Sequence, residues 1–260
     1  MNILDKIVID KRKEVKAKKF VMPVEFLQKS PLFSRNVISL LEGIKSGSGI
    51  IAEFKRRSPS KQVINHISSI IDVARGYEKA GVSGISVLAD TKYFGGAIDD
   101  LLQARISVDL PILRKEFIID TYQIYEARSF GADAILLIAS ILTEQEIINF
   151  SHLAHQLSME VLLEIHNKED LYKSDLKNID MVGVNNRNLK TFELSLETSK
   201  GLSDLIPIEK VKISESGISS MEAIQDLKQF GYQGFLIGEN FMKTEDPGMA
   251  AMQFLKELRK

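Results

Sequence analysis

The sequence of 260 residues predicts a single (β/α)8 TIM barrel, an α/β fold, preceded by an N-terminal helical extension. Three observations predict this fold. Eight short apolar runs recur along the chain, stretches with helical spacing separate them, and glycines stand where several of these helices should end. Eight strand–helix units also suit the usual length of such a barrel, about 250 residues. A doubly wound open sheet is the alternative arrangement of the same units.

The eight apolar runs carry aliphatic and β-branched side chains on both faces, as do strands of a parallel sheet that helices cover. They lie at 50–55, 85–88, 111–115, 134–138, 161–165, 181–185, 211–215 and 234–238. Between them, apolar residues recur at helical spacing, as at Ile70, Val73 and Tyr77. Gly81, Gly131 and Gly231 each stand just ahead of the next strand, and we expect the left-handed backbone that ends many helices there.

Residues 1–45 precede the first strand and form the predicted extension. Leu4, Ile7 and Val8 begin a helical stripe, and basic residues follow at 11–13 and 18–19. We interpret this segment as a helix with an apolar face on the barrel and a basic face in solvent. A lid or a basic rim that attracts an anionic substrate is the alternative. Further apolar residues predict a second docking helix: Phe26, Leu27, Phe33, Val37, Leu40 and Leu41. Because no linker is visible, residues 1–260 are predicted to form one domain.

Composition excludes several classes of function. The net charge of −1 gives no electrostatic case for binding nucleic acid or an anionic membrane surface. Cysteine is absent, which excludes disulfides and thiol catalysis and suits a reducing cytoplasm. No apolar run approaches the roughly 20 residues of a membrane-spanning helix. We therefore expect a cytoplasmic protein without a nucleic-acid or membrane partner.

Polar and charged side chains stand at the ends of five predicted strands. Glu53 and Lys55 share one face of the first strand, because side chains alternate along a strand. Opposite charges on a buried face are costly unless they are paired or used. The other strand ends carry Lys115, Glu164, Asn185 with Arg187, and Glu215 with Ser216. Barrel enzymes place their catalytic groups at these carboxyl ends, so the pattern predicts an active site. Ser58, Pro59 and Ser60, directly after the first strand, predict a helix start.

A phosphorylated substrate is predicted from the last two strand ends. Ser216 and Gly217 follow the seventh strand, and Gly238 and Glu239 follow the eighth. The loops after these strands are the usual phosphate site of such barrels, where glycine lets backbone N–H groups approach an anion. Ordinary tight turns are the alternative interpretation.

Metal and covalent chemistry are less well supported. His152 and His155 lie three residues apart without a third ligand nearby, so we assign them to a solvated helix face and predict no metal site. His66 is isolated, whereas His166 directly follows the fifth strand, close enough to contact a ligand. Lys55 or Lys115 could form a Schiff base if burial lowered its pKa. Acidic neighbours would instead keep such a lysine charged and suited to general acid catalysis.

The motifs at these strand ends resemble those of the indole-3-glycerol phosphate synthase family of tryptophan biosynthesis, over nearly the whole chain. The resemblance is carried by Ile51-Ala52-Glu53-Phe54-Lys55, Ser58-Pro59-Ser60-Lys61, Ser86-Val87-Leu88, Tyr93-Phe94-Gly95-Gly96, the segments 113–120, 122–128 and 131–138, Glu164-Ile165-His166, the segment 183–189, and Ser214-Glu215-Ser216-Gly217-Ile218. That family closes the ring of 1-(2-carboxyphenylamino)-1-deoxyribulose 5-phosphate and releases carbon dioxide and water to form indole-3-glycerol phosphate. It needs no metal or organic cofactor.

The resemblance implies catalytic roles for particular residues. Lys115 protonates the ketone oxygen during ring closure, and Lys55 is the second catalytic lysine. Glu53 holds and polarises Lys55. Glu164 handles protons or stabilises positive charge on the anilino nitrogen. Asn185 belongs to the same set and, with Arg187, orders the polar parts of the substrate. The order of the proton transfers stays open, because two lysines and two glutamates can share them in several ways.

The resemblance also implies binding roles. Ser216, Gly217, Gly238 and the backbone of Glu239 hold the phosphate with help from Lys55, and Glu215 is grouped with these substrate-binding residues. Ser58, Pro59 and Ser60 form a wall of the pocket. The anthranilate ring would lie in an apolar slot formed by Pro59, Phe94, Phe117, Leu136, Leu189 and Leu236. For Phe117 and the leucines, ordinary barrel core is the alternative.

Three residues depart from the usual family pattern. Gln62 replaces a common glycine, which would stiffen or redirect the first loop. Glu116 stands where aspartate is common, and we expect it to point outward without consequence. Glu239 places a carboxylate beside the predicted phosphate site, and we expect its side chain to point away while its N–H contributes.

Two other functions compete with a synthase. An isomerase or epimerase of phosphosugars would share the phosphate loops without needing paired lysines, and a non-catalytic barrel would bind a phosphorylated ligand without turning it over. The expected partner is a small phosphorylated molecule. A monomer, free or associated with other enzymes of tryptophan biosynthesis, is compatible with the sequence.

Overall fold

The computed structural model describes residues 3–189 and 191–258. Eight parallel strands form a closed barrel, in which each strand pairs with its neighbours along the chain and the last pairs with the first. The strands are β1 Ile50–Phe54, β2 Gly84–Leu88, β3 Ile112–Lys115, β4 Ala134–Ile138, β5 Glu160–Ile165, β6 Met181–Asn185, β7 Val211–Glu215 and β8 Tyr232–Ile237. The predicted TIM barrel is confirmed, and the open sheet is wrong.

The helices cover the outside of the barrel and both of its ends. In chain order they are α1 Ile3–Val21, α2 Val24–Leu27, α3 Leu40–Ser46, α4 Ile70–Ala80, α5 Thr91–Phe94, α6 Ile98–Arg105, α7 Thr121–Ser129, α8 Glu144–Gln156, α9 Lys168–Tyr172, α10 Glu197–Ser203, α11 Met221–Gln229, α12 Glu239–Met242 and α13 Pro247–Leu258. A 3₁₀ turn lies at Ala139–Ile141. Gly81, Gly131 and Gly231 have φ angles of 84°, 88° and 80°, which confirms the predicted left-handed helix stops. No helix of the described residues is long and apolar enough to cross a membrane.

Alternation along the strands separates two apolar layers. One layer packs between strands and outer helices and includes Ala52 and Phe54. The other fills the barrel interior and includes Ile51, Leu113 and Leu162. Since inward side chains recur every second residue, the same faces carry polar side chains at the carboxyl ends of the strands. The interior is thus apolar at its base and polar at its mouth.

The N-terminal extension closes both ends of the barrel. Ile7 of α1 is buried with the interior residues and lines a cavity at the carboxyl ends of the strands. At the opposite end, the backbone N–H groups of Leu40 and Leu41 donate to Glu160, the first residue of β5, at 2.8 and 2.9 Å. Ser39 caps α3 and also donates to Glu160. These contacts pack the extension against the barrel.

The predicted single helix across residues 26–41 is wrong. The structure has the short α2 and the separate α3, with turns between them. Within the connection, Arg35 donates to the buried carboxylate of Asp133 at 2.6 Å, and the N–H of Ile38 donates to the same group at 2.8 Å. These polar contacts hold an irregular backbone where the apolar spacing alone predicted a helix.

Two predictions about charge are also wrong, and they concern one cluster. Lys11 of the supposedly solvated face is only 2% exposed, and its Nζ lies 2.9 Å from Asp90 and 3.1 Å from Glu116. Glu116, the residue after β3, is equally buried, and Lys11 of α1 contacts it there. Burial raises the pKa of Glu116, and the charges of Lys11 and Arg114 oppose that shift. Glu116 therefore anchors the extension rather than pointing into solvent.

Candidate active site

A cavity of about 380 Å³ opens at the carboxyl ends of the strands beside α1. It gathers side chains that lie far apart in the sequence, because parallel strands of a closed barrel all end at one rim. With the exception of Glu215, every predicted site residue lines it: Glu53, Lys55, Ser58, Pro59, Ser60, Phe94, Lys115, Phe117, Leu136, Glu164, Asn185, Arg187, Leu189, Ser216, Gly217, Leu236, Gly238 and Glu239.

Two lysine–glutamate pairs face this cavity. Lys55 Nζ lies 2.8 Å from Glu53 Oε1, and Lys115 Nζ lies 3.3 Å from Glu164 Oε2. Asn185 Nδ2 donates to the other oxygen of Glu164 at 3.2 Å, which fixes the orientation of that carboxylate. The lysine side chains are 18% and 13% exposed, whereas both glutamates are buried. Each ammonium group can therefore reach a ligand while its partner stays fixed.

Glu215 lies against Lys115 and outside the cavity lining of the described residues. It is 1% exposed and its carboxylate pairs directly with Lys115 Nζ. Glycines on neighbouring strands make room for the buried carboxylates. A Cβ atom at Gly183 would lie 2.2 Å from Glu215 Oε1, and one at Gly238 would lie 2.4 Å from Glu53 Oε1. The glycines are therefore required by the acidic residues beside them.

The charges of the cluster perturb one another. Burial alone would lower the pKa of Lys115, but the carboxylates of Glu215, Glu164 and Glu53 outweigh it and raise that pKa far above its usual value. Burial would raise the pKa of Glu164, yet Lys115 and His166 lower it. Burial prevails at Glu215, whose pKa is raised to about 7. Lys115 is therefore a charged amine at neutral pH, which suits an acid and disfavours a Schiff base.

The loop after β1 forms a wall of the cavity instead of a helix. Ser58 and Lys61 close a turn through two backbone hydrogen bonds of 2.8 and 3.0 Å, and α4 begins only at Ile70, capped by Ser69. The helix start predicted at Ser58, Pro59 and Ser60 is therefore wrong: the hydroxyls hydrogen-bond within the turn. Gln62 is exposed beyond the turn.

Arginines that the sequence analysis did not single out hold this loop in place. Arg56 pairs with Asp100 through both guanidinium nitrogens, one of them at 2.8 Å. Arg57 donates to the carbonyls of Thr91 and Lys92 at 2.8 and 2.9 Å. The signal for them in the sequence was their position between two segments of the family motif.

The loop after β7 has an unusual backbone. Ser216 and Gly217 have φ angles of 68° and 81°, and a serine rarely adopts this left-handed conformation. Asn186 supports the loop by donating to the carbonyl of Ser216 at 3.1 Å and to Ser214 Oγ at 2.9 Å. Strain of this kind persists where surrounding contacts enforce it, often at a ligand site. Glycine in such a loop lets the backbone approach a ligand closely, and this loop is the usual phosphate site of such barrels.

Glu239, after β8, does not point away from the site. Glu239 lines the cavity, and its carboxylate accepts a hydrogen bond of 2.9 Å from Lys61 Nζ and feels the charges of Lys55 and Arg187. The expectation that only its N–H faces the site is wrong, because the cationic Lys61 holds the side chain at the rim.

Apolar side chains form the rest of the cavity. The rings of Phe94 and Phe117 pack with centroids 5.9 Å apart, and Leu136 and Leu236 are buried in the cavity wall. Residues that the sequence analysis did not place here also line it: Ile3, Leu4, Ile7, Leu88, Glu116, Ile138, Phe192, Leu194, Ile218, Ser219, Ile237, Asn240 and Lys243. The stripe of α1 was visible in the sequence, but spacing cannot say which end of a barrel a helix covers.

The histidines do not line the cavity of the described residues. His166 lies behind Glu164, with Nε2 3.3 Å from it and Nδ1 3.6 Å from Asp170. Burial would lower the pKa of His166, but these carboxylates raise it. His155 pairs with Asp180 at 2.8 Å on an exposed face. No group of three His, Cys, Asp or Glu in the described part of the chain could hold a metal ion.

Comparisons with known proteins agree with this geometry. The model of the indole-3-glycerol phosphate synthase family matches residues 4–254. The chain is 46% identical to an indole-3-glycerol phosphate synthase of Bacteroides thetaiotaomicron, with 99% of each chain covered. It is 41% identical to one of Albidiferax ferrireducens, with 96% of each covered. Among solved structures, a tryptophan synthase α-subunit of Pyrococcus furiosus superimposes with a TM-score of 0.61 at 15% identity, covering 82% of this chain and 98% of that one. That likeness concerns the fold alone.

Proposed function

The chain belongs to the indole-3-glycerol phosphate synthase family, and we propose that its two lysine–glutamate pairs carry out the chemistry of that family. The reaction converts 1-(2-carboxyphenylamino)-1-deoxyribulose 5-phosphate into indole-3-glycerol phosphate, carbon dioxide and water. The observation that carries the assignment of roles is the pair Lys115–Glu164, whose charged groups lie 3.3 Å apart at the cavity wall. The chain has no cysteine that could act as a nucleophile instead.

Lys115 acts as the general acid of ring closure. The aromatic carbon that bears the carboxylate attacks the ketone carbon, and the ketone oxygen gains negative charge as this bond forms. A protonated amine beside that oxygen transfers its proton to it. The raised pKa of Lys115 keeps the amine protonated at neutral pH, and the ketone oxygen accepts this proton as its negative charge grows. Loss of carbon dioxide then restores the aromatic ring.

Lys55 and Glu164 serve the remaining steps. Dehydration breaks the bond to the new hydroxyl, which leaves as water once it is protonated, and a proton is lost from the ring system. Lys55, polarised by Glu53 at 2.8 Å, is suited to supply the first proton. Glu164, oriented by Asn185, is suited to stabilise the positive nitrogen and to accept the proton that the ring system loses.

Binding energy comes from the two sides of the cavity. The substrate phosphate would lie at the loops after β7 and β8, against backbone N–H groups of Ser216, Gly217, Gly238 and Glu239, with charge from Lys55. Arg187 would pair with the carboxylate. The anilino ring would lie among Pro59, Phe94, Phe117, Leu136, Leu189 and Leu236, where water is excluded. Glu215 acts from behind by holding Lys115.

Product formation tests this assignment. We would incubate the protein with 1-(2-carboxyphenylamino)-1-deoxyribulose 5-phosphate and follow indole fluorescence for wild type, Lys115→Met and Lys55→Met. Removing a general acid should lower kcat by roughly 10²- to 10⁴-fold. Lys228→Met, on the exposed face of α11, is the matched control and should keep the wild-type rate.

Three results would contradict the assignment. No product from wild type would overturn the function, and equal rates in all variants would overturn the roles of the lysines. Covalent trapping of substrate on Lys115 or Lys55 by borohydride would replace acid catalysis with a Schiff base.

We further propose that the enzyme works in the cytoplasm, as a monomer that is free or associated with other enzymes of tryptophan biosynthesis. The absence of cysteine and the near-neutral charge support this setting and give no case for a nucleic-acid partner.

A further inference from the structure

An ion pair closes the rim of the cavity between the first and the last strand loops. Lys61, in the loop after β1, donates to Glu239, after β8, at 2.9 Å. The two side chains are 44% and 39% exposed. An exposed pair of this kind contributes little to folding stability, because water screens it and two long side chains must be ordered. A role in folding therefore does not account for its position.

The position of Glu239 opposes the proposed binding of the substrate phosphate. A carboxylate occupies the rim where the substrate phosphate would lie, and like charges repel at short range. Burial would raise the pKa of Glu239, but Lys61, Lys55 and Arg187 lower it, so the group is ionised at neutral pH. The same basic residues that suit an anionic substrate thus already face an anion belonging to the chain.

We propose that Glu239 is an internal competitor of phosphate, which pairs with Lys61 in the free enzyme and gives it up when the phosphate of the substrate binds. The proposal rests on the phosphate site assigned above. A ligand with only a phosphate group must displace Glu239 without other contacts. The full substrate also gains the apolar slot and Arg187. Glu239 therefore keeps inorganic phosphate out of a site that the substrate can still occupy.

Inhibition by inorganic phosphate tests the proposal. We would measure KI against substrate at constant ionic strength for wild type, Glu239→Gln, Lys61→Met and the double variant. Glu239→Gln should lower KI about tenfold, since one like charge is removed from the rim. Lys61→Met should raise KI, and the double variant should lose most of the decrease in KI that Glu239→Gln shows. Glu245→Gln, an exposed carboxylate soon after α12, is the control and should leave KI unchanged.

The outcomes separate the two proposals. If phosphate competes with substrate in neither wild type nor Glu239→Gln, the phosphate site is wrong and the competitor falls with it. If phosphate competes equally in wild type and Glu239→Gln, the site stands and the competitor is wrong. A higher KI in Glu239→Gln would make Glu239 part of the binding site, which also overturns the proposal. If KI fell as far in the double variant as in Glu239→Gln, the proposed exchange with Lys61 would be wrong.

Discussion

Two lysine–carboxylate clusters lie on either side of the end of β3, and consecutive residues belong to them. Lys115 belongs to the cavity cluster, with Glu164, Glu215, Lys55 and Glu53. The next residue, Glu116, belongs to the helix cluster, defined by Lys11, Asp90, Glu116 and Arg114. The types of charge are the same in both. Their surroundings differ.

The cations of the helix cluster are buried, and its carboxylates accept from backbone donors. The side chains of Lys11 and Arg114 are 2% and 1% exposed. Asp90 accepts from the N–H of Tyr93 at 2.6 Å, and Glu116 accepts from the N–H of Phe117 at 2.8 Å. In the cavity cluster the lysines reach an open cavity. Buried charges thus dock a helix, whereas the lysines of the cavity cluster are accessible to a ligand.

The largest expected effect follows from breaking the cavity cluster. Glu164→Gln should lower kcat about 10³-fold, equivalent to about 4 kcal/mol of transition-state stabilisation. Its stability should hardly change, because Glu215 still pairs with Lys115. Indole fluorescence and urea unfolding measure the two quantities.

The control for this variant is Glu169→Gln, an exposed glutamate of α9. If Glu164→Gln kept the wild-type kcat, the position of the cavity cluster beside the cavity would have no role in catalysis.

Breaking the helix cluster should have the opposite effect. Lys11→Met leaves the buried Asp90 without this cation and Glu116 with only Arg114, 3.8 Å away, and should lower the free energy of unfolding by roughly 3 kcal/mol. We expect kcat of the folded enzyme to be retained. Adding Glu116→Gln should recover part of the stability, because the unpaired charge is removed as well.

Urea unfolding checks this prediction, with the exposed Lys16→Met as control. If Lys11→Met lowered kcat severely without changing the stability, the two clusters would have to act as one functional unit, which contradicts the prediction.

The glycines of the cavity cluster give a smaller effect. Gly238→Ala would bring a Cβ atom to 2.4 Å from Glu53 Oε1 and displace that carboxylate from Lys55. A misplacement of about 1 Å can lower a rate about 10²-fold. Gly201→Ala is the matched control, since a Cβ there meets nothing within 4 Å. Equal kcat values for the two variants would contradict the prediction.

The last effect concerns pH. The pKa of Glu215 is raised from 4.5 to about 7 by burial, so the folded state binds a proton that the unfolded state has released. Its contribution to stability is therefore fully present below pH 4.5 and is lost as pH rises through 7. Relative to Glu215→Gln, wild type should lose roughly 3 kcal/mol across this window. Urea unfolding at several pH values measures it, and parallel curves would refute the shift.

Much of the site followed from local signals. Strand periodicity placed Glu53 and Lys55 on one face, and the barrel topology then brought Lys115 and Glu164 to the same rim. These inferences needed only alternation along a strand and the common end of parallel strands.

The failures share a different cause. The burial of Lys11 depends on Asp90 and Glu116, which lie far along the chain, so its surroundings cannot be read from neighbouring residues. Ser58 looked like a helix cap because hydroxyls serve turns and helices alike. Glu239 was assigned an outward position because the cation that holds it, Lys61, comes from the opposite end of the barrel sequence.

The contact of the extension with β5 constrains the order of events during synthesis. Ser39 and Glu160 are 121 residues apart, so α3 leaves the ribosome well before its docking partner exists. At the usual rate of about 5–20 residues per second, that interval is roughly 6–24 s. Throughout it, Leu40 and Ile44, which are buried in the finished protein, lack the β5 part of their native surroundings. The segment that seals the native barrel is thus the part that a chaperone has the longest time to bind.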